Sequence, residues 1–149
     1  MCRRDSSTFI SQLEASPALI NDNYKITESD KFTTNSILFS EIDHGEFDLI
    51  SIDIEGAEWY VLKHMISRPE IISIETHGKY YTNPNINNIT DWMKKNTYVI
   101  WYKDKSDTVF VGKGVFKITN MEKFQLFFEN IKIEFRIKKK VIKNVLHLK

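Results

Sequence analysis

The stretch FDLISIDIEGAEWYVLKHM, residues 47–65, decides how this chain is read. Within residues 47–54, Ile50, Ile52 and Ile54 fall on one side of an extended backbone and Leu49, Ser51 and Asp53 on the other. Apolar residues on both sides predict a strand covered on both faces. Ala57, Val61 and His64/Met65 then recur at helical spacing, and Ser67-Arg68-Pro69 closes that helix, because the residue before a proline is pushed out of the α region. EIISIE, residues 70–75, is a second apolar strand. Strand, helix and strand within about thirty residues make a βαβ unit. Its strands run parallel and its crossover is right-handed.

Downstream, Ile86, Ile89, Trp92 and Met93 mark a second helix ending near Asn96. YVIWYK, residues 98–103, and TVFV, residues 108–111, are strands separated by Asp104-Lys105-Ser106-Asp107. That connection is too short for a crossover, so the two form an antiparallel hairpin and its acids belong to a solvated turn. Past Gly114, Met121, Phe124, Phe127/Phe128 and Ile131 have helical spacing, IKIEFRIK alternates like a strand, and Val141, Val145 and Leu148 are helical again. Both readings stay open for that segment. Upstream, residues 1–23 are polar and mixed, and Thr34-Asn35 is placed to cap a short helix over residues 36–42 that Asp43-His44-Gly45 stops.

Composition bounds the function classes. A chain of 149 residues with 42% hydrophobic and 28% charged residues is expected to form one globular domain. It has no run of eighteen apolar residues, and MCRRDSSTF at the start lacks the apolar stretch of a secretory signal, so a cytoplasmic location is expected. The lone cysteine, Cys2, has no partner for a disulfide or a cysteine metal site. Charge is uneven: residues 132–149 carry seven Lys/Arg against Glu134, net +6, leaving 14 basic and 19 acidic residues elsewhere, net −5. Two readings of this tail stand, a solvated terminal helix and a basic surface for anionic lipid. An acidic remainder argues against nucleic acid as a partner.

The candidate chemistry lies where the parallel strands end. Ligands of open parallel sheets bind outside the carboxyl ends of the strands, where loops vary without disturbing the core. Here the first strand ends in Asp53 and Glu55, the second in Glu75 and His77. Side chains two apart in an extended segment share a side, and neighbouring strands lie about 4.8 Å apart, so these four groups are expected to line one crevice. Carboxylates and an imidazole so placed hold a cation, accept hydrogen bonds from hydroxyls or an amine, or take a proton. Gly56 lets the backbone turn sharply beside them. The competing readings are structural: Asp53 or Glu55 capping the following helix, His77 as a loop histidine, and Trp59, Tyr60 and Trp92 as packing residues. Lys79-Tyr80-Tyr81 is a candidate lid. A phosphate-binding Gly-x-x-x-x-Gly-Lys, a Gly-x-Ser-x-Gly elbow and a Cys/His metal cluster are all missing, so no metal is expected.

The order Phe47-Asp48-Leu49-Ile50-Ser51-Ile52-Asp53-Ile54-Glu55-Gly56-Ala57-Glu58, then Leu62-Lys63, then Arg68-Pro69-Glu70-Ile71-Ile72-Ser73-Ile74-Glu75, resembles the FkbM-type S-adenosylmethionine-dependent methyltransferases over roughly residues 26–115. The resemblance implies an α/β fold: a partial class I methyltransferase, Rossmann-like sheet of parallel strands with a C-terminal antiparallel hairpin. That domain would span residues 1–116, with 117–149 as a basic helical extension. It implies S-adenosyl-L-methionine as cofactor and methyl transfer to an oxygen of a small-molecule or carbohydrate acceptor, such as a sugar or glycolipid. By the same likeness Asp53, Glu55, Glu75 and His77 are the catalytic candidates, and Asp53 and Gly56 the cofactor-binding ones. One departure stands out. The family opens with a Gly-x-Gly turn that cradles the cofactor, whereas the first glycine here is Gly45. The expectation is therefore the C-terminal portion of such a domain, truncated and inactive as this chain, with an apolar sheet edge that pairs with a second copy or an upstream segment. The alternative is a non-catalytic binding or accessory module held at a membrane surface by its tail.

Overall fold

The computed structural model describes residues 37–54, 56–78 and 82–147. A 3₁₀ turn at Phe39–Glu41 leads into β1 (Leu49–Ile52), α1 (Glu58–Lys63), β2 (Ile71–Glu75), α2 (Ile86–Lys95), β3 (Tyr98–Lys103), β4 (Asp107–Gly112) and the long α3 (Asn120–His147). The four strands form one mixed sheet in the order β1-β2-β4-β3. β1 and β2 are parallel, with Leu49 opposite Ile71 and Ile52 opposite Ile74. β4 runs antiparallel to β2, with Ile72 opposite Phe110 and Glu75 opposite Asp107, and β3 completes the hairpin. The β1-α1-β2 unit and the hairpin thus share one sheet, and β2 is the strand they have in common.

The core follows from the alternation in β2. Ile72 and Ile74 point to one face and are fully buried, while Ile71, Ser73 and Glu75 on the other face are half-buried. Leu62 of α1 and Ile89 and Met93 of α2 pack against these isoleucines, joined by Ile52, Tyr98 and Phe110. α2 is amphipathic at helical spacing, which fixes the face it presents. Its end is held by Arg68, whose guanidinium lies 5.1 Å from the Trp92 ring, while Trp92 stacks on Tyr98 and the Tyr98 hydroxyl donates to the Pro69 carbonyl at 2.6 Å.

Asp43, expected only as part of a helix stop, ties the entry of β1 to the α1–β2 connection. Its buried carboxylate accepts from the backbone N–H of Gly45 at 2.9 Å, Ile66 at 2.6 Å and Ser67 at 2.8 Å, and from the Ser67 hydroxyl. Burial opposes the charge, but the hydrogen bonds from Ser67, Gly45 and Ile66 outweigh it and hold the pKa at about 2.

One expectation changes in the structure and one open reading is decided. β1 is not covered on both faces among the described residues: it sits at the sheet edge and its Leu49 is 61% exposed. Apolar residues on both sides of a strand report what it offers, whereas its cover depends on what packs there. The alternating IKIEFRIK belongs to α3, not to a strand. As a helix the segment satisfies its backbone groups internally, without a strand partner. In the helix the alternation places Ile133 and Ile137, half-buried, on a different side from the exposed Phe135. A bulge between Ile100 and Tyr102 turns Trp101 toward α3, where its indole N–H donates to Glu122 at 2.9 Å. Leu126 lines a hollow between helix and sheet together with Trp101 and Val109. No helix among the described residues is long and apolar enough to cross a membrane.

Candidate functional site

At the carboxyl end of β1 the chain must leave the sheet and start α1 within five residues, and the buried Glu58 makes this possible. Standing first in α1, Glu58 folds its carboxylate back over the turn. Oε1 accepts from the Ile54 N–H at 3.1 Å and the Gly56 N–H at 3.0 Å, and Oε2 accepts from Asn83 Nδ2 at 2.5 Å. These backbone donors have no helical partner, and a carboxylate at a helix start also suits the dipole. Gly56 takes φ +98°, the left-handed region where glycine is favoured. A Cβ there would meet Pro84 at 3.6 Å, an ordinary contact, so the backbone angle rather than crowding selects glycine.

Asn83 carries the arrangement to β2. Its Nδ2 also donates to the Glu75 carbonyl at 3.1 Å, its Oδ1 accepts from the Asn85 N–H at 2.8 Å, and its own N–H donates to the Thr76 carbonyl at 2.9 Å. Asn85 Nδ2 closes the circuit on the Gly56 carbonyl at 3.3 Å. The ends of both parallel strands are thereby held by one buried amide–carboxylate network.

On this frame Asp53, Glu58 and Glu75 each bring an oxygen within 4.8 Å of the others, with Asp53 exposed, Glu58 buried and Glu75 half-buried. Asp53 and Glu75, placed from the sequence at neighbouring strand ends, do lie together. Glu58 joins them, although its oxygens already serve three donors, so its part is to build the turn. Three carboxylates at this spacing suit a small hard cation, an ammonium group or hydroxyl donors. Glu55 and the candidate lid Lys79-Tyr80-Tyr81 lie outside the described residues.

His77 does not join this group. It is buried, with Nδ1 2.8 Å from the Thr76 hydroxyl and Nε2 3.1 Å from the Asp104 carbonyl in the β3–β4 turn. A carbonyl only accepts, so Nε2 carries the proton and Nδ1 accepts from Thr76, which is the neutral tautomer. Burial lowers its pKa; the Asp104 carbonyl works the other way, and the charges of Lys103 and Arg136 lower it further. Two residues beyond Glu75, the chain has left the β2 ladder and pairs with Thr82 instead, so side chains at 75 and 77 no longer share a direction. Of the two acids expected in a solvated turn, Asp104 is in the turn, half-buried, its Oδ1 accepting from the Ser106 and Asp107 N–H groups at 2.9 and 2.8 Å, whereas Asp107 opens β4 opposite Glu75.

Glu58 and Asn83 were not singled out in the sequence. For Glu58 the signal was present, a carboxylate at the first helical position six residues after the end of β1, where backbone N–H groups lack partners. Asn83-Pro84-Asn85 reads only as a loop, because its partners come from two separate strand ends.

Comparison with curated proteins and with solved structures gave no match. The described family is another matter: the methyltransferase FkbM domain matches residues 4–100, well over half of the 149-residue chain, and extends further upstream than the 26–115 span of the motif resemblance. The matched span includes β1, the Glu58-organised turn, β2 and α2, and on this ground the chain belongs to the FkbM methyltransferase domain family.

Proposed function

We propose that this chain acts in S-adenosyl-L-methionine-dependent methyl transfer to an oxygen of a small-molecule or carbohydrate acceptor. In this reading the β1-α1-β2 unit with its antiparallel hairpin is the C-terminal part of a class I methyltransferase sheet. The family match carries the reaction class. What supports the placement is the meeting of Asp53 and Glu75 at the carboxyl edge of the parallel pair, on a turn that Glu58 and Asn83 hold rigid.

The donor set fits the cofactor in kind: its ammonium and ribose hydroxyls need anionic acceptors, and Asp53 and Glu75 supply them. Asp53, with the backbone around Gly56, would hold the cofactor, which supplies an electrophilic methyl group. Glu75 would accept a hydrogen bond from the acceptor hydroxyl and take its proton. Alignment of the acceptor contributes most in such a displacement, and base assistance adds about 10²–10⁴-fold. His77, with both nitrogens engaged, keeps the β2 end and the hairpin turn together.

S-adenosylhomocysteine titration of the chain by calorimetry and thermal shift tests this. Saturable binding is expected, weakened about tenfold or more by Asp53→Ala, the loss of one charge-assisted hydrogen bond. A folded sample that shows neither heat nor thermal shift at millimolar ligand refutes the cofactor reading.

A further inference from the structure

Helix α3 is longer than its contacts with the sheet require. Twenty-eight residues span about 42 Å. On one side Glu122 accepts from the Trp101 indole, and Leu126 faces a hollow that Trp101 and Val109 also line. A different side carries Phe124, Phe128, Phe135 and Ile142, spaced by four, seven and seven residues into one stripe, and these are 59%, 43%, 70% and 60% exposed. Among the described residues nothing covers them.

The chemistry around the stripe states what would. Lys138 and Lys139 lie three and four residues after Phe135 on the same side, and together with Arg136 and Ile142 they line a shallow apolar hollow. Residues 135–147 hold five Lys/Arg and no acid; Lys138 meets Glu134 at 3.7 Å in an exposed pair, and this half of the helix keeps a net positive charge. A second copy laid parallel along it would set like charge against like charge. Nucleic acid would use the lysines and leave Phe135 and Ile142 in water. Only an anionic bilayer surface answers both halves of the pattern: phosphate headgroups take the lysines, and the acyl boundary takes the aromatic and aliphatic side chains.

We infer that the distal half of α3 docks the protein onto anionic lipid, its Phe135/Ile142 stripe entering the interface beside Lys138 and Lys139, which bind headgroups. The inference stands on the helix alone and does not depend on methyl transfer.

Vesicle flotation of the full chain tests it, with phosphatidylcholine vesicles and with vesicles in which about a third of the lipid is phosphatidylserine. Circular dichroism checks that each variant keeps its helix. Binding to the anionic vesicles only is expected. Lys138→Glu/Lys139→Glu is expected to cut the bound fraction about tenfold or more, and Phe135→Ser to cut it as well. The proposal is overturned if the chain ignores anionic vesicles, if the folded variants bind as the parent does, if duplex RNA is bound while vesicles are not, or if the stripe instead drives concentration-dependent self-association without lipid.

Discussion

Replacing Glu58 is the most informative perturbation, because one carboxylate serves both ends of the parallel pair. In Glu58→Ala the N–H groups of Ile54 and Gly56 lose their acceptor. Asn83 Nδ2 keeps the Glu75 carbonyl as a second partner and suffers less. At about 1.5–3 kcal/mol for each hydrogen bond to a charged group, two lost backbone bonds destabilise the fold by about 3–6 kcal/mol. Glu58→Gln keeps an oxygen for both N–H groups but turns an amide donor toward Asn83, so it costs about 1–2 kcal/mol. Adding Asn83→Asp to Glu58→Gln restores a donor–acceptor pair and returns the network to its original net charge. The double variant should therefore be more stable than the sum of the single ones by about 1 kcal/mol. Urea unfolding followed by tryptophan fluorescence and circular dichroism measures all three, with unchanged m-values as the control for two-state behaviour. A Glu58→Ala variant within about 0.5 kcal/mol of the parent, or a double-variant cycle without coupling, would refute the idea that this carboxylate organises the turn.

Gly56→Ala forces a side chain into φ +98° and is expected to cost about 1–2 kcal/mol by the same unfolding assay. Asp43 is held at about 2 against an ordinary 3.8, so its contribution is complete above 3.8 and is lost as pH falls through 2. Asp43→Asn should flatten that acid limb of a Tm–pH profile and lower stability at neutral pH by about 2–3 kcal/mol. His77 has its pKa lowered from 6.5, so the folded state resists protonation: its contribution is complete above 6.5 and declines as pH falls toward the folded pKa. His77→Gln should remove that slope, and an unchanged slope would show that another group is responsible.

Local pattern carried the sequence reading far in the middle of the chain. Both parallel strands, the helix between them, α2 and the antiparallel hairpin were legible because each has a hydrophobic period, a turn residue at its end, or a connection too short for the alternative. The carboxylates of Asp53 and Glu75 were legible for the same reason: strand ends in a parallel pair must be neighbours. Where a side chain's partner lies far along the chain, period and spacing are silent. Asn83 reaches Glu58 and the Glu75 carbonyl, Asp43 reaches Ser67, and His77 reaches Asp104, contacts that exist only once the strands are stacked. The same limit explains β1 and α3. The sequence by itself determined which segments are apolar and with what period, because that is a property of neighbours along the chain. Tertiary structure decided whether Leu49 would be covered, that residues 131–138 wind as helix, and that Glu58 faces inward to hold the turn, because each depends on which donors and surfaces the rest of the fold leaves unsatisfied.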